Sequence, residues 1–252
     1  MQDILFASDL DNTLLYSRKH RHAGDCCVEH LAGAEQGFMT PRTIELLRAV
    51  QQKLRLIPVT TRSVAQYLRI AWPVGTEPDY AVTTNGAVLL HHGTVDAAWQ
   101  EEHTALLAAA QEELARQYAL HSGKAAFIRC RLVDGAYLFT YCADGVDAAA
   151  CAADCRAGTS LTVQHSGRKI YFFPQGLDKG AALRALRRRF SPSYVYAAGD
   201  SSIDLPLLLE ADRAFLPAAL PCADSPRIRR PVGTVFAEAL LAALQEEIGQ
   251  HG

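Results

Sequence analysis

Residues 4–15 read ILFASDLDNTLL. A mostly apolar run, ILFAS, leads into two acids one residue apart, Asp9 and Asp11, and the chain turns apolar again at Leu14. ILFAS has the length and composition of a strand buried on both faces. Two carboxylates at the end of such a strand cost desolvation and repel one another, so stability alone does not select them. A bound cation, or a chemistry that uses both acids, gives a reason for the arrangement.

Outward from that stretch, strand-like and helix-like runs alternate. PRTIELLRAVQQK (41–53) opens with Pro41, has Thr40 as its N-cap, and carries apolar residues at helical spacing. LRLIPVT (54–60) reads as a strand, SVAQYLRIAW (63–72) as a helix, and DYAVTTNG (79–86) as a strand ending in a turn pair. The end of the chain returns to this style. KGAALRALRRRF (179–190) is a helix, YVYAAGD (194–200) a strand, SIDLPLLLEA (202–211) a short helix and RAFLP (213–217) a strand. A last helix near 234–248 places Phe236, Leu240, Leu244 and Ile248 on one face. Alternation of this kind predicts a parallel sheet covered by helices.

The middle has a different rhythm. A long helix over EEHTALLAAAQEELARQYA (101–119) precedes AAFIRCRLV (125–133) and AYLFTYC (136–142), joined by Asp134-Gly135, a hairpin signal. A short helix around 144–155 precedes TSLTVQH (159–165) and RKIYFFP (168–174), with a turn at Ser166-Gly167. A helix–hairpin unit occurring twice predicts an antiparallel sheet with helices on one face. The expected fold is α/β: a Rossmann-like parallel-sheet core, residues 1–86 and 174–252, with an inserted α+β cap, residues 87–173. The stretch 17–39 is polar, contains glycine and shows no period, and reads as a long loop.

Composition narrows the partners. The 252 residues are 49% hydrophobic and 21% charged, with a net charge of −2. That balance gives no general reason to bind nucleic acid or an anionic membrane. The N-terminal residues carry acids where a signal peptide needs a basic start, and no apolar run approaches a membrane span. Seven cysteines without a CxxC pair read as free thiols in a reducing cytoplasm. Cys151 and Cys155, four apart on a predicted helix, could supply two zinc ligands beside a histidine, but the bland reading is favoured.

If the outer segments form one sheet, its carboxyl edge collects the chemistry-bearing residues. Asp9 and Asp11 follow ILFAS, Thr60 ends LRLIPV, Asp200 and Asp204 follow YVYAAG, and Lys179 begins the first helix after the insert. Clustered carboxylates suit Mg²⁺, a hard ion that keeps several waters. Lys179, the Thr60 hydroxyl and backbone N–H groups near Asn12 would hold phosphate oxygens. One carboxylate can then attack phosphorus while a second moves the proton.

The motifs resemble those of the haloacid dehalogenase superfamily of phosphatases. DLDNT (9–13) resembles its DxDxT motif, VTTRS (59–63) its hydroxyl motif, DKGAAL (178–183) its lysine motif and GDSSID (199–204) its terminal acidic motif. TNGA (84–87) is similar to the point where the subfamily with an α/β cap leaves the core, the subfamily of Cof-type and sucrose-phosphate phosphatases. The resemblance implies a Mg²⁺-dependent phosphomonoesterase acting on a small phosphorylated metabolite, a sugar phosphate first. It implies Asp9 as nucleophile and metal ligand, and Asp11 as general acid/base lending its backbone carbonyl to the metal. Asp200 would be a ligand, and Asp204 a ligand through water or a support. Thr60 and Lys179 would bind the phosphoryl group. Asn12, Asn85 at the hinge and Gly86 would lie toward the substrate; Thr61 would contact substrate or pack, and Arg62 would contact substrate or cap or form an ion pair.

Two departures stand out. Relatives commonly read GDSxND, whereas Ile203 stands where Asn would sit, and Thr61 replaces a glycine after the motif hydroxyl. Transfer of the phosphoryl group to a second hydroxyl, and a weakly active phosphate- or metal-binding regulatory module, are the rival readings. The sequence leaves the oligomeric state open.

Overall fold

The computed structural model describes residues 3–250. Strand β1 (Ile4–Ser8) is the ILFAS run, and its side chains alternate between two cores. Phe6 joins one; Leu5 and Ala7 join the other. Both faces are therefore apolar, as a central parallel strand requires.

After β1 the chain makes an excursion through β2 (Tyr16–Ser17), β3 (Cys26–Leu31) and β4 (Ala34–Met39), an antiparallel sheet ordered β2-β4-β3. The expected loop over 17–39 is thus mostly sheet. Its period is hidden because Val28 and Glu29 are consecutive and both buried, at a register irregularity between Cys27 and His30. The turn Ala32-Gly33 has φ of 50° and 79°, the left-handed pair of a tight hairpin.

Helix α1 (Pro41–Gln51) starts as expected: Thr40 Oγ1 accepts from the Thr43 amide at 2.9 Å. Strand β5 (Arg55–Pro58) pairs with β1. Helix α2 (Val64–Tyr67) is far shorter than the sequence suggests. The chain leaves the helix so that Ile70 bridges Glu29 and the Ala71 amide bonds the Val28 carbonyl at 2.8 Å, a tertiary pairing that overrides helical spacing.

Strand β6 (Tyr80–Thr83) touches the sheet through a Val59–Val82 bridge and carries β7 (Val88–His91) and β8 (Thr94–Val95) antiparallel beside it. Residues 88–95 therefore extend the strand that precedes the expected insert boundary at 87. Helix α3 (Ala97–His121) also starts on the core, where Trp99 is buried and its Nε1 donates to the Gly86 carbonyl at 3.0 Å.

The cap sheet contains β9 (Phe127–Val133), β10 (Tyr137–Cys142), β11 (Thr162–Ser166) and β12 (Lys169–Phe173), in the order β11-β12-β10-β9. The Asp134-Gly135 turn has φ of 46° and 69°, as its sequence predicts. Helix α3 and α4 (Ala148–Arg156) cover one face through Leu114, Ala152, Leu138 and Phe172. The other face, Val133, Tyr137, Phe139, Tyr171 and Phe173, turns to the core.

The chain returns through α5 (Lys179–Phe190), β13 (Tyr194–Ala198), α6 (Leu205–Glu210), β14 (Arg213–Phe215), β15 (Ile228–Arg229) and α7 (Phe236–Gln250). The parallel sheet runs β15-β14-β13-β1-β5. Helices α1 and α7 cover one face, and α5 and α6 the other. Among the described residues no helix is long and apolar enough to cross a membrane.

Candidate active site

Parallel pairing of β1 with β13 brings their carboxyl ends together, and the Asp9 amide extends that ladder to the Ala198 carbonyl at 2.9 Å. Asp9 is 6% exposed. The chain then turns sharply, with Asn12 at φ 61° and its amide 2.6 Å from the Leu15 carbonyl. Leu10 and Leu14 are buried beneath this turn, which leaves Asp11 and Asn12 facing the cavity.

Lys179 enters from the first turn of α5, capped by Asp178. It is 1% exposed, with Nζ 2.5 Å from Asp9 Oδ1 and 2.6 Å from Asp204 Oδ1. The other oxygen of Asp204 accepts from the Ser201 amide at 2.9 Å, the Ser201 hydroxyl at 2.8 Å and the Asp200 amide at 3.2 Å. Asp204 therefore fixes both the loop that carries Asp200 and the lysine. The loop closes so tightly that a Cβ on Gly199 would lie 2.3 Å from Asp204 Cβ, which leaves glycine as the fitting residue there.

Asp9, Asp200 and Asp204 place carboxylate oxygens within 4.8 Å of one another. Burial, reinforced by Asp204, Asp200 and Asp11, drives the Asp9 carboxyl well above the usual range against the pull of Lys179. Burial and then Asp204 push Asp200 up to about 6. Four carboxylates, Asp9, Asp11, Asp200 and Asp204, meet here with Lys179, Lys169 and Arg62 as the nearby cations, and Glu29 shares Arg62, so negative charge is in excess. All the donors are hard oxygens, and a divalent cation such as Mg²⁺ matches both the donor type and the charge deficit.

Asp11 has a different partner. Arg62 grips its carboxylate with two hydrogen bonds of 2.8 and 2.9 Å. Burial would raise Asp11, but these bonds and the guanidinium charge hold it below the usual range. Arg62 is held in turn by Glu29 at 2.9 Å, and Glu29 also receives Arg69 at 2.8 Å. Glu29, 3% exposed, reaches this network from β3, within the stretch expected to be a loop. An isolated Glu in a polar stretch carries no signal of that role.

The cavity is lined by Asp9, Asp11, Asn12, Thr61, Lys179, Asp200, Ser201, Ile203 and Asp204 from the core, and by Ser166, Lys169 and Tyr171 from the cap. Of the expected substrate-facing residues, Asn12 and Thr61 line it. Arg62 is occupied by Asp11 and Glu29. Asn85, at φ 57°, donates Nδ2 to the Leu177 carbonyl at 3.2 Å and ties together the two chain crossings between core and cap. Gly86, at φ 116°, packs on Asp178 and Ala182, where a side chain would crowd both. Thr60 is fully buried behind the cavity, its hydroxyl oxygen accepting from the Arg62 amide at 3.1 Å. Cys155 Sγ is 3.9 Å from His121 Nε2, but that nitrogen is 3.0 Å from Gln117 Oε1, and among the described residues no metal-holding trio forms there.

Ile203 lies 4% exposed against Val133, Tyr137, Phe139, Tyr171 and Phe173, so it forms an apolar contact with the cap. Polar links border it. Tyr137 donates its hydroxyl to the Thr61 carbonyl at 2.5 Å, and Asp134 accepts from the Thr84 hydroxyl at 2.6 Å and the Val64 amide at 2.9 Å. The cap is seated on the core over the acidic cluster.

Comparison with known proteins agrees with this architecture. The profile of the family described as sucrose-6F-phosphate phosphohydrolase matches residues 2–215. The fold is similar to that of the sucrose-phosphatase from Synechocystis sp. PCC6803, solved with sucrose and phosphate (20% identity, 99% of each chain, TM-score 0.71). It is similar to a Thermoplasma acidophilum protein (16% identity, 97% of each chain, TM-score 0.62). It is also similar to a haloalkanoate-superfamily phosphatase from Bacteroides thetaiotaomicron (13% identity, 97% of this chain and 94% of that one, TM-score 0.57). No curated protein matches the sequence.

Proposed function

The chain belongs to the sucrose-6F-phosphate phosphohydrolase family, a phosphatase family, and from that premise we propose that it hydrolyses a sugar phosphate through an aspartyl-phosphate on Asp9. The observation that carries the proposal is the buried Lys179 joining Asp9 to Asp204, beside Asp200 and beneath the cap. Asp9 is fixed by its ladder bond and lysine contact, which suits a nucleophile held for in-line attack. Lys179 would bind a phosphoryl oxygen as charge develops in the transition state.

Asp9 and Asp200 would hold Mg²⁺, with the Asp11 backbone carbonyl, because Asp204 already spends its oxygens on Lys179 and the loop. An Mg²⁺ ion held there would neutralise phosphoryl charge and relieve the carboxylate repulsion. An Asp9 oxygen attacks phosphorus, the P–O bond to the sugar breaks, and the sugar oxygen takes a proton from Asp11. Water then attacks the phosphoryl group, Asp11 takes its proton, and Asp9 is released with phosphate. Arg62 keeps Asp11 ionised, the form that serves the second step; the first requires Asp11 to leave Arg62 carrying a proton. Ser166, Lys169 and Tyr171 are the cap groups available to the sugar and phosphate.

The test is phosphate release from sucrose 6F-phosphate and a panel of other sugar phosphates, with and without Mg²⁺, beside Asp9→Asn. Mg²⁺-dependent release absent from the variant is expected. An active Asp9→Asn enzyme removes the aspartyl-phosphate, undiminished release in chelator removes the metal, and silence across the panel removes the substrate class.

A further inference from the structure

Strands β3 and β4 carry a second cluster of ligating atoms, outside the acidic site and of different chemistry. Cys27, His30 and Glu35 place a sulfur, an imidazole nitrogen and a carboxylate oxygen within 4.8 Å of one another. On a regular strand, residues 27 and 30 would face opposite sides of the sheet. Here the register slips between Cys27 and Glu29 and again between Glu29 and His30. Val28 and Glu29 are both buried, while Cys27, whose thiol lies 3.3 Å from the Glu29 carbonyl, is half-buried and His30 is exposed. Glu35 lies directly opposite His30 on β4. The irregularity that sends Glu29 to Arg62 thus assembles three donors on the outer face.

The spacing suits one small ion. Cys27 Sγ is 3.7 Å from His30 Nε2. Tetrahedral zinc with ordinary Zn–S and Zn–N bonds requires an S···N edge of about 3.5 Å. Arg21 bonds Glu35 through Oε2, at 2.6 Å. We infer that Cys27, His30 and Glu35 form a surface site for a borderline-soft divalent cation of the Zn²⁺ or Co²⁺ type, with a fourth position open to water. Binding exchanges the Cys27 thiol proton for the metal, and the proton passes to solvent. The hard-oxygen cluster around Asp9 and this S/N/O site differ in ligand softness, so the two are separable by ion.

The experiment is a Co²⁺ titration of the reduced full-length protein in excess Mg²⁺, read by the thiolate-to-cobalt charge-transfer band in the near ultraviolet. One saturable equivalent is expected, abolished by Cys27→Ser and retained by Cys26→Ser. His30→Ala and Glu35→Gln are expected to weaken Co²⁺ binding at least about tenfold, since loss of even outer-shell partners has that effect. Mg²⁺-dependent phosphatase turnover and the thermal midpoint of Cys27→Ser report that the variant is folded. Absence of a saturable band overturns the site. So does a band that survives Cys27→Ser in folded protein, one lost equally in Cys26→Ser, or one indifferent to both His30→Ala and Glu35→Gln.

Discussion

Lys179 Nζ lies between Asp9 Oδ1 at 2.5 Å and Asp204 Oδ1 at 2.6 Å, and the three side chains are almost wholly buried. Burial alone would lower the lysine's affinity for its proton, but the two carboxylates more than offset this and raise it. Removing the ammonium strands two buried carboxyls. Lys179→Met is expected to destabilise the apoprotein by roughly 3–5 kcal/mol, the cost of breaking a buried pair. Turnover should fall by at least about 100-fold. Mg²⁺ should restore part of the thermal midpoint by supplying the missing positive charge. A midpoint equal to wild type in chelator would contradict this account.

Glu29 bonds Arg62, which in turn bonds Asp11, and Glu29 itself does not line the cavity. Glu29→Gln should lower kcat by roughly ten- to a hundredfold, as small misplacements of catalytic groups do, and leave KM near its original value. Combined with Arg62→Met it should cost no more than Arg62→Met alone, because both act on one contact. Additive losses in the double variant would separate the two residues.

Ile203 answers the departure from the expected Asn. It fits the aromatic face of the cap, where an amide would be buried among Phe139, Tyr171 and Phe173. Ile203→Asn should weaken cap docking by about 2 kcal/mol or more. Small-angle scattering of the ligand-free variant should show a larger radius of gyration than wild type. Identical curves would mean that Tyr137 and Asp134 hold the cap without it.

Glu113 binds Arg116, Gln117 and the Thr159 hydroxyl, tying α3 to the segment before β11. The Arg116 hydrogen bonds, working against burial, hold its carboxyl down to about 2. Its stabilising effect is complete above the unfolded value of about 4.5 and is lost as pH falls toward 2. Glu113→Gln should lower the thermal midpoint at neutral pH and flatten its decline over that window. An unchanged acid slope would remove Glu113 from the cap's stability.

What the sequence disclosed followed its periodicity. ILFAS, the Thr40–Pro41 helix start and the Asp134-Gly135 turn each carry a local signal, and each stands where that signal puts it. The acids and the lysine come from separate motifs, and the sheet edge brings Asp9, Asp200, Asp204 and Lys179 together. The 17–39 sheet does not, because two adjacent inward residues break strand alternation at Val28 and Glu29. SVAQYLRIAW has helical spacing, yet Ile70 and Ala71 are drawn to β3 by bonds that no local pattern encodes. Asn85 and Gly86 belong to TNGA, the expected point of departure from the core, and there Asn85 bonds the Leu177 carbonyl and Gly86 packs on Asp178 and Ala182.

The Ile203 contact also has a thermal consequence. Closing the cap removes the apolar faces of Tyr137, Phe139, Tyr171 and Phe173 from water together with Ile203. Closure therefore carries a negative heat-capacity change, and its grip loosens on cooling. Wherever cap opening limits turnover, the rate should not follow a straight Arrhenius line: the plot should curve, with the barrier to opening shrinking toward low temperature.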